Sequence, residues 1–213
     1  MDTVLLIFEL IGTCAFAISG AVLGITKRFD IFGVIFAGIL TALGGGTIRD
    51  LLLGNLPPAM FRNYISLIFA VATCVLTFII ASILQHRFSE NIAVIDRVNN
   101  VFDAIGLGVF TVVGMNVAIN SGYSDNFFFV VFLGMTTGCG GGILRDAIIG
   151  EVPFVLKKRI YAVASIAGGI IYYLLYITFN QGVVFSAIIG IAVIFALRIF
   201  ASVFKWDLPK AIK

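Results

Sequence analysis

Four charged residues stand where charge is costly. Arg49 and Asp50 close the run Gly44-Gly45-Gly46-Thr47-Ile48-Arg49-Asp50, and Arg145 and Asp146 close Gly140-Gly141-Gly142-Ile143-Leu144-Arg145-Asp146. Both runs lie inside apolar stretches long enough to cross a bilayer, where an ionisable side chain marks a polar site or pathway. Three successive glycines weaken a helix. A helix broken at that depth leaves carbonyls and N–H groups unpartnered, which is tolerated only inside protein or beside a water-filled cavity. Free carbonyls at a negative dipole end suit a cation, and the opposed N-terminal ends suit an anionic group. The chemistry implied is therefore an ion pathway or a zwitterion site.

Two further acids lie at membrane depth. Glu9 shares a helix face with Thr13, Phe16 and Gly20, and Asp103 shares one with Asn99, Gly106 and Phe110. Adjacent helical residues point about 100° apart, so Arg49 and Asp50 are expected to be poor partners for each other. The expected pairs are Arg49 with Asp146 and Arg145 with Asp50, or either arginine with Glu9 or Asp103. A second reading stays open for each feature. The glycines could serve tight helix packing, as in Gly20-x-x-x-Gly24. The Arg–Asp pairs could be a buried ion-pair network that holds the chain together.

No enzymatic chemistry is legible. There is one histidine, no nucleophile with a neighbouring base and no Walker-type loop, and the glycine triplets follow no strand. Cys14, Cys74 and Cys139 lack metal-ligand spacing and read as small apolar filler. His86, beside Arg87, reads as solvated. No cofactor and no nucleic-acid partner are expected.

The elements that must position these residues follow from composition. Of 213 residues 61% are hydrophobic and 12% charged; mean hydropathy is +1.13. A soluble domain carries about 25% charged residues, so this is an all-α, multi-pass membrane protein. Seven spans are predicted: Val4–Ile25, Ile31–Leu53, Tyr64–Leu84, Val98–Ile119, Asn126–Ile149, Ile160–Phe179 and Val183–Phe204. Asn180-Gln181-Gly182 splits the last two. The first carries Glu9 and is too long for a cleaved signal peptide.

With these spans, Lys27, Arg28, Arg87, Arg97, Lys157, Lys158, Arg159, Arg198, Lys205, Lys210 and Lys213 fall on one face, against Arg62 on the other. The positive-inside rule then puts the N-terminus outside and the C-terminus in the cytoplasm of a prokaryotic inner membrane.

The glycine motifs belong to a longer internal match. Phe8-Glu9-Leu10-Ile11-Gly12 parallels Phe102-Asp103-Ala104-Ile105-Gly106, Gly20 and Gly24 parallel Gly114 and Ala118, and Gly54 and Pro57 parallel Gly150 and Pro153. This divides the chain into a three-span repeat (3–84), a linker (85–96), a second three-span repeat (97–175), a seventh span (183–204) and a basic tail (205–213). Three spans is an odd number, so the second repeat is inverted, with a pseudo-two-fold axis in the membrane plane.

Two three-span repeats, each with Gly-Gly-Gly-x-x-Arg-Asp and a following proline, plus a seventh span, resemble the prokaryotic TRIC family, relatives of the trimeric intracellular cation channels. The resemblance covers nearly the whole chain. It implies a homotrimer with one pore per subunit, conducting potassium and some sodium. The second and fifth spans would be kinked at Gly44–Gly46 and Gly140–Gly142 at the centre of the pore. Arg49, Asp50, Arg145 and Asp146 carry over with those kinks. Animal members have a lysine in the first motif and bind a phosphoinositide; this chain lacks that lysine, so no such lipid is expected. Some bacterial proteins with this domain are described as glycine transporters. A channel needs a continuous wet path, a transporter one occluding site with alternating gates. The resemblance favours the channel, with transport of a small zwitterion as the alternative.

Overall fold

The computed structural model describes residues 3–84, 92–157 and 160–206, and among them every regular element is helical. The order is α1 (Thr3–Thr26), α2 (Ile31–Leu52), α3 (Ala59–Arg62), α4 (Ile65–Ile83), α5 (Ile92–Ala118), α6 (Phe127–Ile149), α7 (Phe154–Lys157), α8 (Ala162–Tyr173) and α9 (Val183–Val203). α5 and α8 run on into π-helical turns, Ile119–Tyr123 and Leu174–Thr178. Six of these helices are long and apolar enough to cross a bilayer. The predicted sixth span appears as a shorter apolar helix, Ala162–Thr178. His86, Arg87, most of the 85–96 linker, and the tail beyond residue 206 lie outside the described residues.

The starts of α2 and α6 are built alike. Asp30 Oδ1 accepts from Gly33 N at 2.8 Å, and Asn126 Oδ1 accepts from Phe129 N at 3.0 Å. Each cap satisfies a donor that the first turn leaves open. Their ends are alike too, at left-handed glycines Gly54 (φ 72°) and Gly150 (φ 77°). There the chain turns sharply into the short helices α3 and α7.

The breaks expected at the glycine triplets are not seen as interruptions: α2 and α6 each run as one α-helix through them. The energetics explain this. A helical glycine costs about 1 kcal/mol relative to alanine. An unsatisfied backbone group in hydrocarbon costs several times that, so the ladder is kept. The glycines instead let two helices touch. A methyl on Gly45 would overlap the Thr137 carbonyl, and one on Gly141 would overlap the Thr41 carbonyl. Gly44 meets Leu144, and Gly140 meets Ile48, in the same reciprocal way. The packing reading of the triplets therefore describes this structure. Thr41 and Thr137 also donate to the carbonyls four residues back, both at 2.6 Å, which satisfies hydroxyls that no water reaches.

α1 packs on α2, α5 packs on α6, and α1 and α5 pack on each other, so these four helices form the centre. At the α1–α5 contact Phe16 and Phe110 stack with centroids 5.3 Å apart. Gly106 leaves the room that Phe16 fills. α4 lies outside, with only Ala70, Cys74 and Ala81 buried. α9 packs against α8 and α5. Large exposed apolar residues such as Phe32, Ile68, Leu76 and Phe128 cover the outside, as a lipid-facing surface requires.

Lys27, just after α1, forms an ion pair with Glu151, just after α6. The start of α2 therefore lies beside the end of α6, and the two helices run antiparallel. The two Arg–Asp motifs consequently sit towards opposite ends of the bundle.

Candidate functional site

Each motif forms a hook. Arg49 Nε donates to Asp50 Oδ1 at 2.9 Å, and Arg145 Nε donates to Asp146 Oδ1 at 2.8 Å. The second carboxylate oxygen reaches past the turn: Asp50 Oδ2 accepts from Ala59 N at 2.7 Å, and Asp146 Oδ2 accepts from Phe154 N at 2.9 Å. Each aspartate thus binds its own arginine and clasps the first turn of the next short helix.

This corrects the expected pairing. Arg49 does not reach Asp146, and Arg145 does not reach Asp50; neighbours pair instead. The third glycine lies beside the folded-back arginine, at a distance where a methyl would make ordinary contact. The site of a methyl on Gly46 lies 3.6 Å from the Arg49 guanidinium, and that on Gly142 lies 3.7 Å from the Arg145 guanidinium. Each long side chain folds back along its helix and returns to the carboxylate beside it. The 100° offset forbids a direct approach of short side chains, but arginine's stem spans it.

The surroundings of the two hooks differ. The first borders a cavity of about 140 Å³, lined among others by Glu9, Gly46, Arg49, Asp50, Asn63 and Ser66. Glu9 Oε1 accepts from Ser66 Oγ at 3.1 Å, and among the described residues no ion pair joins it to Arg49. Phe110 closes the cavity on the side of the Phe16–Phe110 stack.

The second hook is sealed. Arg145 is fully buried, donates to Ser19 Oγ at 3.2 Å and lies 3.8 Å from Asp103, one of its expected partners. The Phe154 ring covers its guanidinium at 5.4 Å. Tyr161 OH donates to Asp103 Oδ1 at 3.4 Å. Gly142 faces this tyrosine hydroxyl.

The basic collar expected from sequence includes Arg198, and the structure buries it instead. It is only 2% exposed, lies 3.5 Å from Asp103 and donates to Asn100 Oδ1 at 2.9 Å. Its guanidinium stacks on Tyr161 at 4.6 Å. The available signal was an arginine inside an apolar span. Tyr161, Ser19 and Ser66 carried no comparable signal, because single hydroxyls are common in spans. Of the predicted residues, Glu9, Gly46, Arg49 and Asp50 gather at the first cluster, and Gly142, Arg145, Asp146 and Asp103 at the second. Gly44, Gly45, Gly140 and Gly141 lie between them at the helix crossing. The described residues include no group of three or more His, Cys, Asp or Glu placed to hold a metal ion.

Known proteins share this arrangement. A family model described as "Glycine transporter" matches twice, over residues 6–82 and 100–177. The UPF0126 inner membrane protein YadS of Escherichia coli K12 is 36% identical over 94% of this chain and 91% of its own. A UPF0126 membrane protein of Deinococcus radiodurans is 44% identical over 75% of this chain and 71% of its own. Among solved structures, one described in work on conductance through TRIC cation channels superposes with a TM-score of 0.82 at 35% identity, covering 97% of each chain. The TRIC trimeric intracellular cation channel orthologue from Rhodobacter sphaeroides gives 0.84 at 31%, covering 96% of this chain and all of that one. These neighbours are ion channels and not enzymes. The chain therefore belongs to the family described as glycine transporter, together with the UPF0126 membrane proteins, and it is a multi-pass membrane protein of the TRIC cation-channel type.

Proposed function

We propose that this protein is a homotrimeric channel for monovalent cations, chiefly potassium with some sodium, with one pore in each subunit. The observation that carries this reading is likeness over nearly the whole chain to structures described as TRIC cation channels. The pathway would run along α2 and α6, between the cavity at Glu9, Arg49 and Asp50 and the cluster at Asp103, Arg145 and Asp146. Two acids against one arginine give the cavity a negative balance, which favours cations. The halves 3–84 and 97–175 act as inverted repeats; reciprocal glycine contacts and matching hooks support that reading. Opening would flex α2 and α6 at their glycine triplets, and potassium or sodium would pass as the permeant species with no resident cofactor. The basic collar supports an N-terminus outside and a cytoplasmic C-terminus in the inner membrane.

Transport of a small zwitterion is the second reading. Two observations favour it: the description of the family model and the cavity's combination of a guanidinium with carboxylates, which suits both ends of an amino acid. Planar-bilayer recording separates the two. A channel gives unitary currents that reverse near the potassium equilibrium potential under a potassium gradient. Saturable glycine uptake into proteoliposomes without such currents would overturn the channel in favour of the transporter.

A further inference from the structure

Glu9 and Asp103 hold corresponding places in the two halves, yet their partners differ. Glu9 faces a cavity and accepts one hydroxyl, from Ser66. Asp103 lies between two guanidiniums, Arg145 at 3.8 Å and Arg198 at 3.5 Å. Arg145 has a counterpart in Arg49. Arg198 has none in the first half, because it comes from α9, which follows both repeats. Around Arg198 stand the Asp103 carboxylate and the Asn100 amide oxygen. One turn from Asp103, Asn99 Oδ1 is buried without a hydrogen-bond partner among the described residues. These oxygens make a setting for a cation, and a side-chain cation is already in it. The first cluster has carboxylate and hydroxyl oxygens and open space instead.

We propose that Arg198 is a tethered cation, holding at Asp103 the place that a mobile monovalent cation takes at Glu9. The proposal rests on the channel reading and adds a functional inequality between the ends of the pathway. At the first cluster two acids face one arginine, so a mobile cation completes the balance. At the second, two acids face two arginines among the described residues, and these balance without a mobile ion. A charge fixed to α9 leaves only when α9 or α5 moves, whereas an ion at Glu9 exchanges freely. Removing the Arg198 charge opens a second site for mobile cations.

Thermal unfolding of the purified full chain tests this. Potassium is titrated against N-methyl-glucamine at constant ionic strength. The wild type and Arg198→Lys gain stability saturably with potassium, and Glu9→Gln loses that gain. Arg198→Gln is less stable without potassium and regains more than the wild type as potassium rises. The double variant Glu9→Gln with Arg198→Gln keeps a potassium response that Glu9→Gln alone lacks. A deficit in Arg198→Gln that is equal at every potassium concentration would make Arg198 a packing residue and overturn the proposal. Crystals of the wild type in thallium salt give a check that needs no variant: anomalous density is expected at Glu9, and density at Asp103 would refute a tethered cation. Failure of the channel reading appears separately, as missing wild-type potassium currents, and alters neither readout.

Discussion

At the residue scale, the aspartates of the two motifs do more than balance charge. Each spends one oxygen on its arginine and the other on a backbone N–H beyond the turn. Replacing Asp146 with asparagine leaves Arg145 buried with its nearest compensating charge removed. Loss of one member of a buried pair costs about 3–5 kcal/mol. Asp146→Asn should therefore lower the unfolding midpoint in detergent sharply. Asp50→Asn should lower it less, because the first hook borders a cavity. Double-mutant cycles distinguish the observed pairing from the cross-axis one. Arg49 with Asp50 should couple clearly, whereas Arg49 with Asp146 should add within about 0.5 kcal/mol. Strong coupling of Arg49 to Asp146 would restore the cross-axis pairing.

At the element scale, the glycine triplets divide their labour by position. The first and second glycines set how closely α2 and α6 approach, whereas a methyl at the third would meet the folded-back arginine only at ordinary contact distance. A methyl at Gly45 or Gly141 meets a backbone carbonyl, which cannot swing aside. Overpacking of this kind costs about 1–3 kcal/mol. Gly45→Ala and Gly141→Ala should each destabilise the protein by an amount in that range in thermal unfolding, and Gly46→Ala by clearly less. Equal gains at Gly45 and Gly46 would show that helix propensity, not the crossing, governs the triplet. Leucine at Gly45 or Gly141 should reduce ion flux in proteoliposomes, through the crossing itself.

At the scale of the whole molecule, the Lys27–Glu151 ion pair joins the loops after α1 and after α6 on one face. Which face that is can be read by chemistry in intact cells. In a background lacking Cys14, Cys74 and Cys139, a cysteine at Asn63 or Ser124 should react with a membrane-impermeant maleimide. One at Lys27 should react only after permeabilisation. The reverse pattern would invert the orientation expected from the basic collar. The same face carries Arg198 and its partners, so the proposed fixed charge would stand at the cytoplasmic end of the path.

Hydropathy was enough to establish a multi-pass helical membrane protein, because apolar length is a local property that lipid reads directly. Shared glycines, acids and a proline revealed the internal match for a similar reason: types and offsets survive in sequence. The hooks were not legible. Helical geometry argued against a neighbour pair at Arg49–Asp50, and only the folded-back course of the arginine side chain shows how it returns to its neighbour. The continuity of α2 and α6 was also hidden, since glycine's weak propensity is a local cost and the lipid's penalty on open hydrogen bonds is larger. By sequence, Arg198 is one more basic residue near the C-terminal end of a span. Its neighbours on α5 are far away in sequence, so only the packing of α9 against α5 turned a collar charge into the partner of Asp103.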